Sequence, residues 1–166
     1  MRPPSSISPN QFSTMSHTTA ADQGLLVSCQ CSYISFRTPS KQPLRVACCH
    51  CTACQKQSAS AFGSSAFYPT EAFVSNLPPE AKDKLQLFTH PTDSGNTMHC
   101  YFCPKCGVRL YQNSRRPDGT PGAVVAVKAG CVEGLDWKDV IHIWTKSAVV
   151  PIPHGVKQYE KGLPPP

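Results

Sequence analysis

Short apolar runs broken by turn residues dominate the chain from Gly24 onward. Leu25-Leu26-Val27-Ser28-Cys29 and Tyr33-Ile34-Ser35-Phe36-Arg37 predict two short strands joined by a cysteine-bearing turn, and Arg45-Val46-Ala47-Cys48 predicts a third. Residues 52–61 contain neither Pro nor Gly and predict a short helix with a sparse apolar face. Residues 65–68, ahead of Pro69, and residues 84–89 predict further strands, with a loop between them at Asn76-Leu77-Pro78-Pro79. Residues 98–102 and 108–112 predict two strands flanking a tight turn at Cys103-Pro104-Lys105-Cys106-Gly107. Ala123-Val124-Val125-Ala126-Val127 is nearly all apolar and β-branched, which predicts a strand buried on both faces. Residues 136–144, where Ile141 and Ile143 alternate with His142 and Trp144, close the core; the proline-spaced segment from Pro151 predicts an extended surface tail.

This pattern describes a mainly β protein with one or two short helices. A length of 166 residues suits one domain. Residues 1–23 are rich in Ser, Thr, Pro and Gln without hydrophobic periodicity and are expected to be disordered; 24–150 form the domain, and 151–166 a Pro-rich tail packed on it or trailing from it. The 17 prolines and 10 glycines, against only 16 % charged residues, favour many short segments over long helices. The formal charge of +6 is scattered, with no basic run of the kind that binds nucleic acid, so at most a weak attraction for small anions is expected. Neither a signal-peptide core nor a membrane-length apolar run is present, so a soluble protein with no membrane partner is expected.

Chemistry enters with the ten cysteines: Cys29, Cys31, Cys48, Cys49, Cys51, Cys54, Cys100, Cys103, Cys106 and Cys131. They are clustered, which points to metal ligation in a reducing, cytoplasmic setting rather than to a disulfide framework. Zinc takes four soft ligands at tetrahedral corners, and a two-residue spacer lets one turn supply two of them. Cys103-x-x-Cys106 fits, and Gly107 after it can take positive φ and turn amides toward the sulfurs. Cys29-x-Cys31 can supply the other half of a four-cysteine site. Cys49-His50-Cys51-Thr52-Ala53-Cys54 leaves three sulfurs within six residues. Three protein ligands are the mark of an open, catalytic zinc site, and a sulfur-rich one suits capture of a substrate thiol. Spacing alone leaves other pairings open, since Cys48-x-x-Cys51 and Cys100-x-x-Cys103 are also acceptable, as is one structural zinc with several buried thiols.

Cys29-x-Cys31, Cys49-His50-Cys51-x-x-Cys54 and Phe102-Cys103-Pro104-x-Cys106-Gly107, in that order, resemble the glutathione-dependent formaldehyde-activating enzyme family, also called the centromere protein V family. The resemblance runs over residues 24–162 and includes Ala61-Phe62-Gly63 and His142-Ile143-Trp144. It implies an Mss4-like fold, a β-tent of small antiparallel sheets pinned by zinc. It further implies two zincs per chain: a structural one on Cys29, Cys31, Cys103 and Cys106, and a catalytic one on Cys49, Cys51 and Cys54. The activity implied is that of a carbon–sulfur lyase, joining glutathione to formaldehyde as S-hydroxymethylglutathione or reversing that, with glutathione as co-substrate. Gln55-Lys56-Gln57 stands where the family often places arginine, a departure that bears on substrate choice.

Two other readings compete: a specialised-pathway enzyme using the same zinc on a different small molecule, and a non-enzymatic zinc binding module. Among the remaining side chains, His50 is a candidate acid, base or fourth ligand, and His142 a candidate pocket residue. Lys56 and Arg109 are candidates for the carboxylates of glutathione, with solvated surface charge as the plain alternative. Cys48, Cys100 and Cys131 are expected to be free thiols.

Overall fold

The structure, a computed structural model, describes residues 23–163. The predicted disordered segment, apart from residue 23, lies outside the described residues, as do the last three prolines. A small antiparallel sheet pairs β1 (Leu26–Ser28) with β2 (Ser35–Arg37). The large sheet contains β3 (Arg45–Cys49), β4 (Gly63–Pro69), β5 (Gln86–Pro91), β6 (Thr97–Phe102), β7 (Arg109–Arg115), β8 (Pro121–Lys128), β9 (Ile141–Ile143) and β10 (Gln158–Tyr159). Their spatial order is β10-β9-β3-β4-β8-β7-β6-β5. All pairings are antiparallel except β3 with β9 and β9 with β10.

The mainly β class expected from the apolar pattern is what the structure has. Its helices, however, number three among the described residues rather than one or two: α1 (Thr52–Ser58), α2 (Thr70–Asn76) and α3 (Pro79–Lys84). The expected loop at residues 76–79 is only the joint between α2 and α3. Pro79 sits at the first position of α3, where its missing N–H and preset φ are tolerated, so a residue read as a breaker is a helix start. Helix α1 stops at Ser58, short of the predicted Ala61, because Ala59 turns into the left-handed region at φ 48°. The Ser58 hydroxyl then donates to Phe62 O at 3.0 Å and stabilises the return into β4.

The core lies between the two sheets. Phe36 from β2, Phe73 from α2 and Tyr111 from β7 meet in mutual ring contacts, with centroids 4.8–6.2 Å apart, above Val125 and Val127. Strand β8 is not buried on both faces throughout. It outruns β4, whose last residue Pro69 pairs with Val124, so residues 121–123 extend past that neighbour, and burial begins at Val125. At the other edge the segment after Pro151 returns as β10, parallel to β9. Trp144 donates its N–H to Lys161 O at 2.9 Å there, closing the sheet beside the second cysteine cluster.

Candidate functional site

Two turns build the first cluster. Cys29 and Cys31 occupy the β1–β2 turn, and Cys103 and Cys106 the β6–β7 turn. The Ile34 N–H donates to Cys29 Sγ at 3.3 Å, while Gly107, at φ 74°, donates its N–H to Cys103 O at 2.9 Å. Only a residue without Cβ takes that left-handed conformation freely. The turns are clamped together where Lys105 Nζ lies 3.7 Å from the centre of the Tyr33 ring. All four sulfurs lie within 4.8 Å of one another, with Cys29 to Cys31 at 3.7 Å and Cys31 to Cys103 at 3.8 Å. A tetrahedral zinc with bonds of about 2.3 Å sets its ligand sulfurs about 3.8 Å apart, so this donor set fits the ion. The Val108 N–H lowers the Cys106 thiol to about 6, which favours the ligating thiolate at neutral pH.

The second cluster forms where a strand runs into a helix. Cys49 ends β3, Cys51 caps α1, and Cys54 lies in its first turn. As cap, Cys51 Sγ accepts the Cys54 N–H at 3.4 Å, a role usually filled by an oxygen, so the geometry that starts the helix also aims the sulfur inward. The three sulfurs lie within 4.8 Å of one another and all three residues are half-buried, which leaves the cluster accessible. The Cys49 thiol, then the Cys54 thiol, hold Cys51 well below the ordinary thiol range, while Cys51 drives Cys49 upward. Gly63 makes room for the cluster, since a Cβ there would stand 3.2 Å from Cys54 Cβ and 3.7 Å from its sulfur.

The two sets of cysteines singled out by spacing are thus brought together in space. His50 does not join its neighbours' sulfurs among the grouped ligand atoms. It is fully buried just after β3, with Nε2 2.8 Å from His142 Nδ1, the rings stacked, and Phe62 alongside. Burial lowers both imidazoles, which are therefore neutral partners across β3 and β9. Gln55 donates to His50 O at 2.7 Å and to Ser147 O at 2.9 Å, tying α1 to the chain after β9. Cys48 and Cys100 are buried away from both clusters, and Cys131 is half-buried with Sγ 3.8 Å from Arg109 O.

A family model described as glutathione-dependent formaldehyde-activating enzyme matches residues 25–147. The chain belongs to that family. No match among curated proteins accompanies it. For this glutathione-dependent formaldehyde-activating family member, a function related to glutathione and formaldehyde follows in general terms. No helix among the described residues is long and apolar enough to cross a membrane.

Beside Cys106 of the first cluster lies an open cleft of about 570 Å³. Gln57 and Ser58 of α1, Gly63, Cys106, Arg109 and Lys128 are among the residues that line it. Arg109 was a sequence candidate; Lys128 was not. Its only signal is a cation ending the apolar run of β8, a position that from sequence alone reads as the strand's exposed end. Instead Lys128 is 6 % exposed and its ammonium has no hydrogen-bond partner.

Proposed function

We propose that this protein is a zinc-dependent carbon–sulfur lyase acting on a glutathione or other thiol adduct of the S-hydroxymethylglutathione type. The observation that carries this is the contrast between a four-sulfur set, half of it buried in the core, and a half-buried three-sulfur set that leaves a tetrahedral ion one position for water or substrate. Cys29, Cys31, Cys103 and Cys106 would hold a structural zinc, and Cys49, Cys51 and Cys54 a second. When bound, the second ion would supply Lewis acidity that favours the thiolate form of a substrate thiol near neutral pH.

The protein's own residues do the rest. Cys51, anchored by the Cys54 N–H, orients the cluster, and Gly63 keeps the approach free of side chain. In the lyase direction the carbon–sulfur bond of the adduct breaks, its hydroxyl loses a proton as the carbonyl of formaldehyde forms, and the sulfur leaves with the bonding pair. Solvent at the half-buried cluster exchanges the proton. The partner is a small-molecule thiol or glutathione adduct, and ten unbridged cysteines suit a reducing compartment such as the cytoplasm.

The test is zinc content and turnover of S-hydroxymethylglutathione for the wild type and Cys51→Ala. The expected result is two zincs falling to one with loss of turnover. One zinc in both proteins and no turnover would point instead to a binding module.

A further inference from the structure

The cleft contains a cation that the sequence pattern did not single out. Lys128, the last residue of β8, is nine-tenths buried, and no described residue pairs with its Nζ. Arg109, which opens β7, lines the same cleft and gives one N–H to Gln112 Oε1 at 3.2 Å. Burial lowers the Lys128 ammonium and the like charge of Arg109 adds to that, while Cys54, Cys100 and Cys49 oppose it. A buried charge without a partner is unfavourable, and a second cation nearby makes it more so; an anion entering the cleft relieves both. Gln57 lines the same cleft, and its Oε1 is also buried without a partner. The cleft thus keeps one unpaired cationic donor and one unpaired amide acceptor, within a volume usual for small-ligand sites.

Resting on the reading of the substrate as a thiol of the glutathione type, we propose that Lys128 and Arg109 form a carboxylate-binding subsite. Gln57 accepts from a peptide N–H of the same ligand. A carboxylate takes hydrogen bonds from ammonium and guanidinium together, and such charge-assisted bonds strengthen when shielded from water. Gly63 borders both the cleft and Cys54, so a ligand anchored on Lys128 has its sulfur end within reach of the three-sulfur cluster. Lys128 therefore sets substrate class: thiols carrying a carboxylate are preferred over neutral ones.

The test is equilibrium binding of S-methylglutathione, which keeps both carboxylates but has no thiol, and of its dimethyl ester, to the zinc-loaded full chain. The free acid is expected to bind at least tenfold more tightly than the diester. Lys128→Met should bring that ratio within twofold, and Lys128→Arg should keep most of it. An unchanged ratio in Lys128→Met overturns the proposal, as does a wild type that binds neither compound. An unchanged ratio with loss of zinc from the three-sulfur cluster also overturns it, and shows that the ammonium balances thiolate charge. Should Lys128→Met not fold, the half-buried Arg109→Gln is expected to lower the ratio about threefold, and no change refutes the subsite. Turnover of S-hydroxymethylglutathione, measured in parallel, separates the two readings. A collapsing ratio without wild-type turnover keeps the subsite and removes the lyase; turnover with an unchanged ratio does the reverse.

Discussion

Replacing Cys103 by alanine is expected to destabilise the domain far more than replacing Cys51. The four-sulfur cluster joins Cys31 to Cys103 across 72 residues, whereas Cys49 and Cys54 are only five apart. Cross-linking entropy gives about 4 kcal/mol for closing the longer loop and about 2 kcal/mol for the shorter. Packing widens the gap, because Cys29 and Cys103 belong to the buried core while α1, which carries Cys54, buries none of its residues. A difference of about 2 kcal/mol is a large share of a typical domain stability of about 5–15 kcal/mol. It translates into roughly 4–8 °C of melting temperature for a chain of this size. Thermal unfolding followed by circular dichroism, with zinc counted by a chromogenic chelator, measures both effects. Cys103→Ala should melt at least about 4 °C below Cys51→Ala, and Cys51→Ala should keep one zinc and a cooperative transition. If Cys51→Ala melts as low as Cys103→Ala, the three-sulfur cluster is a structural clip and the division of labour between the clusters is wrong.

Gly63→Ala would press its methyl to 3.2 Å from Cys54 Cβ, so α1 must yield by a few tenths of an ångström. Since that helix buries no residue, melting temperature should barely move while kcat falls roughly tenfold, in keeping with the sensitivity of catalysis to misplacement; Gly63→Val with unchanged kcat would show that this contact does not position the cluster. Gly107→Ala forces a side chain onto φ 74° and should destabilise by about 1–2 kcal/mol, read as a shifted urea midpoint with an unchanged slope. Under a competing chelator zinc should leave in two phases, the half-buried three-sulfur cluster first, with turnover lost in the fast phase and circular dichroism changing only in the slow one. Turnover surviving the fast phase would remove the three-sulfur cluster from catalysis.

Local chemistry was legible wherever a single turn or strand held it. Cys103 to Gly107 forms a knuckle because two ligands, a two-residue spacer and a glycine at positive φ are all contained in one turn. Cys49 to Cys54 forms a cluster because a strand end, a cap and a first helical turn bring near neighbours to one side. His50 shows the limit of adjacency. Flanked by two cluster residues and just past the end of β3, it instead stacks on His142, which only the parallel pairing of β3 with β9 brings there.

The order of cysteine pairs, the mainly β pattern and the glycine of the knuckle were determined by the sequence itself, because each depends on interactions a few residues apart. The closing of Cys29 and Cys31 onto Cys103 and Cys106, the return of residues 158–159 as β10, and the burial of Lys128 were decided only by the tertiary structure. These depend on which strands become neighbours over separations of tens of residues. The same lysine would be an ordinary solvated cation on a strand that ended in water. Here it is buried without a hydrogen-bond partner because β8 runs between β4 and β7 and its last residue lines the cleft with α1 and the Cys106 turn.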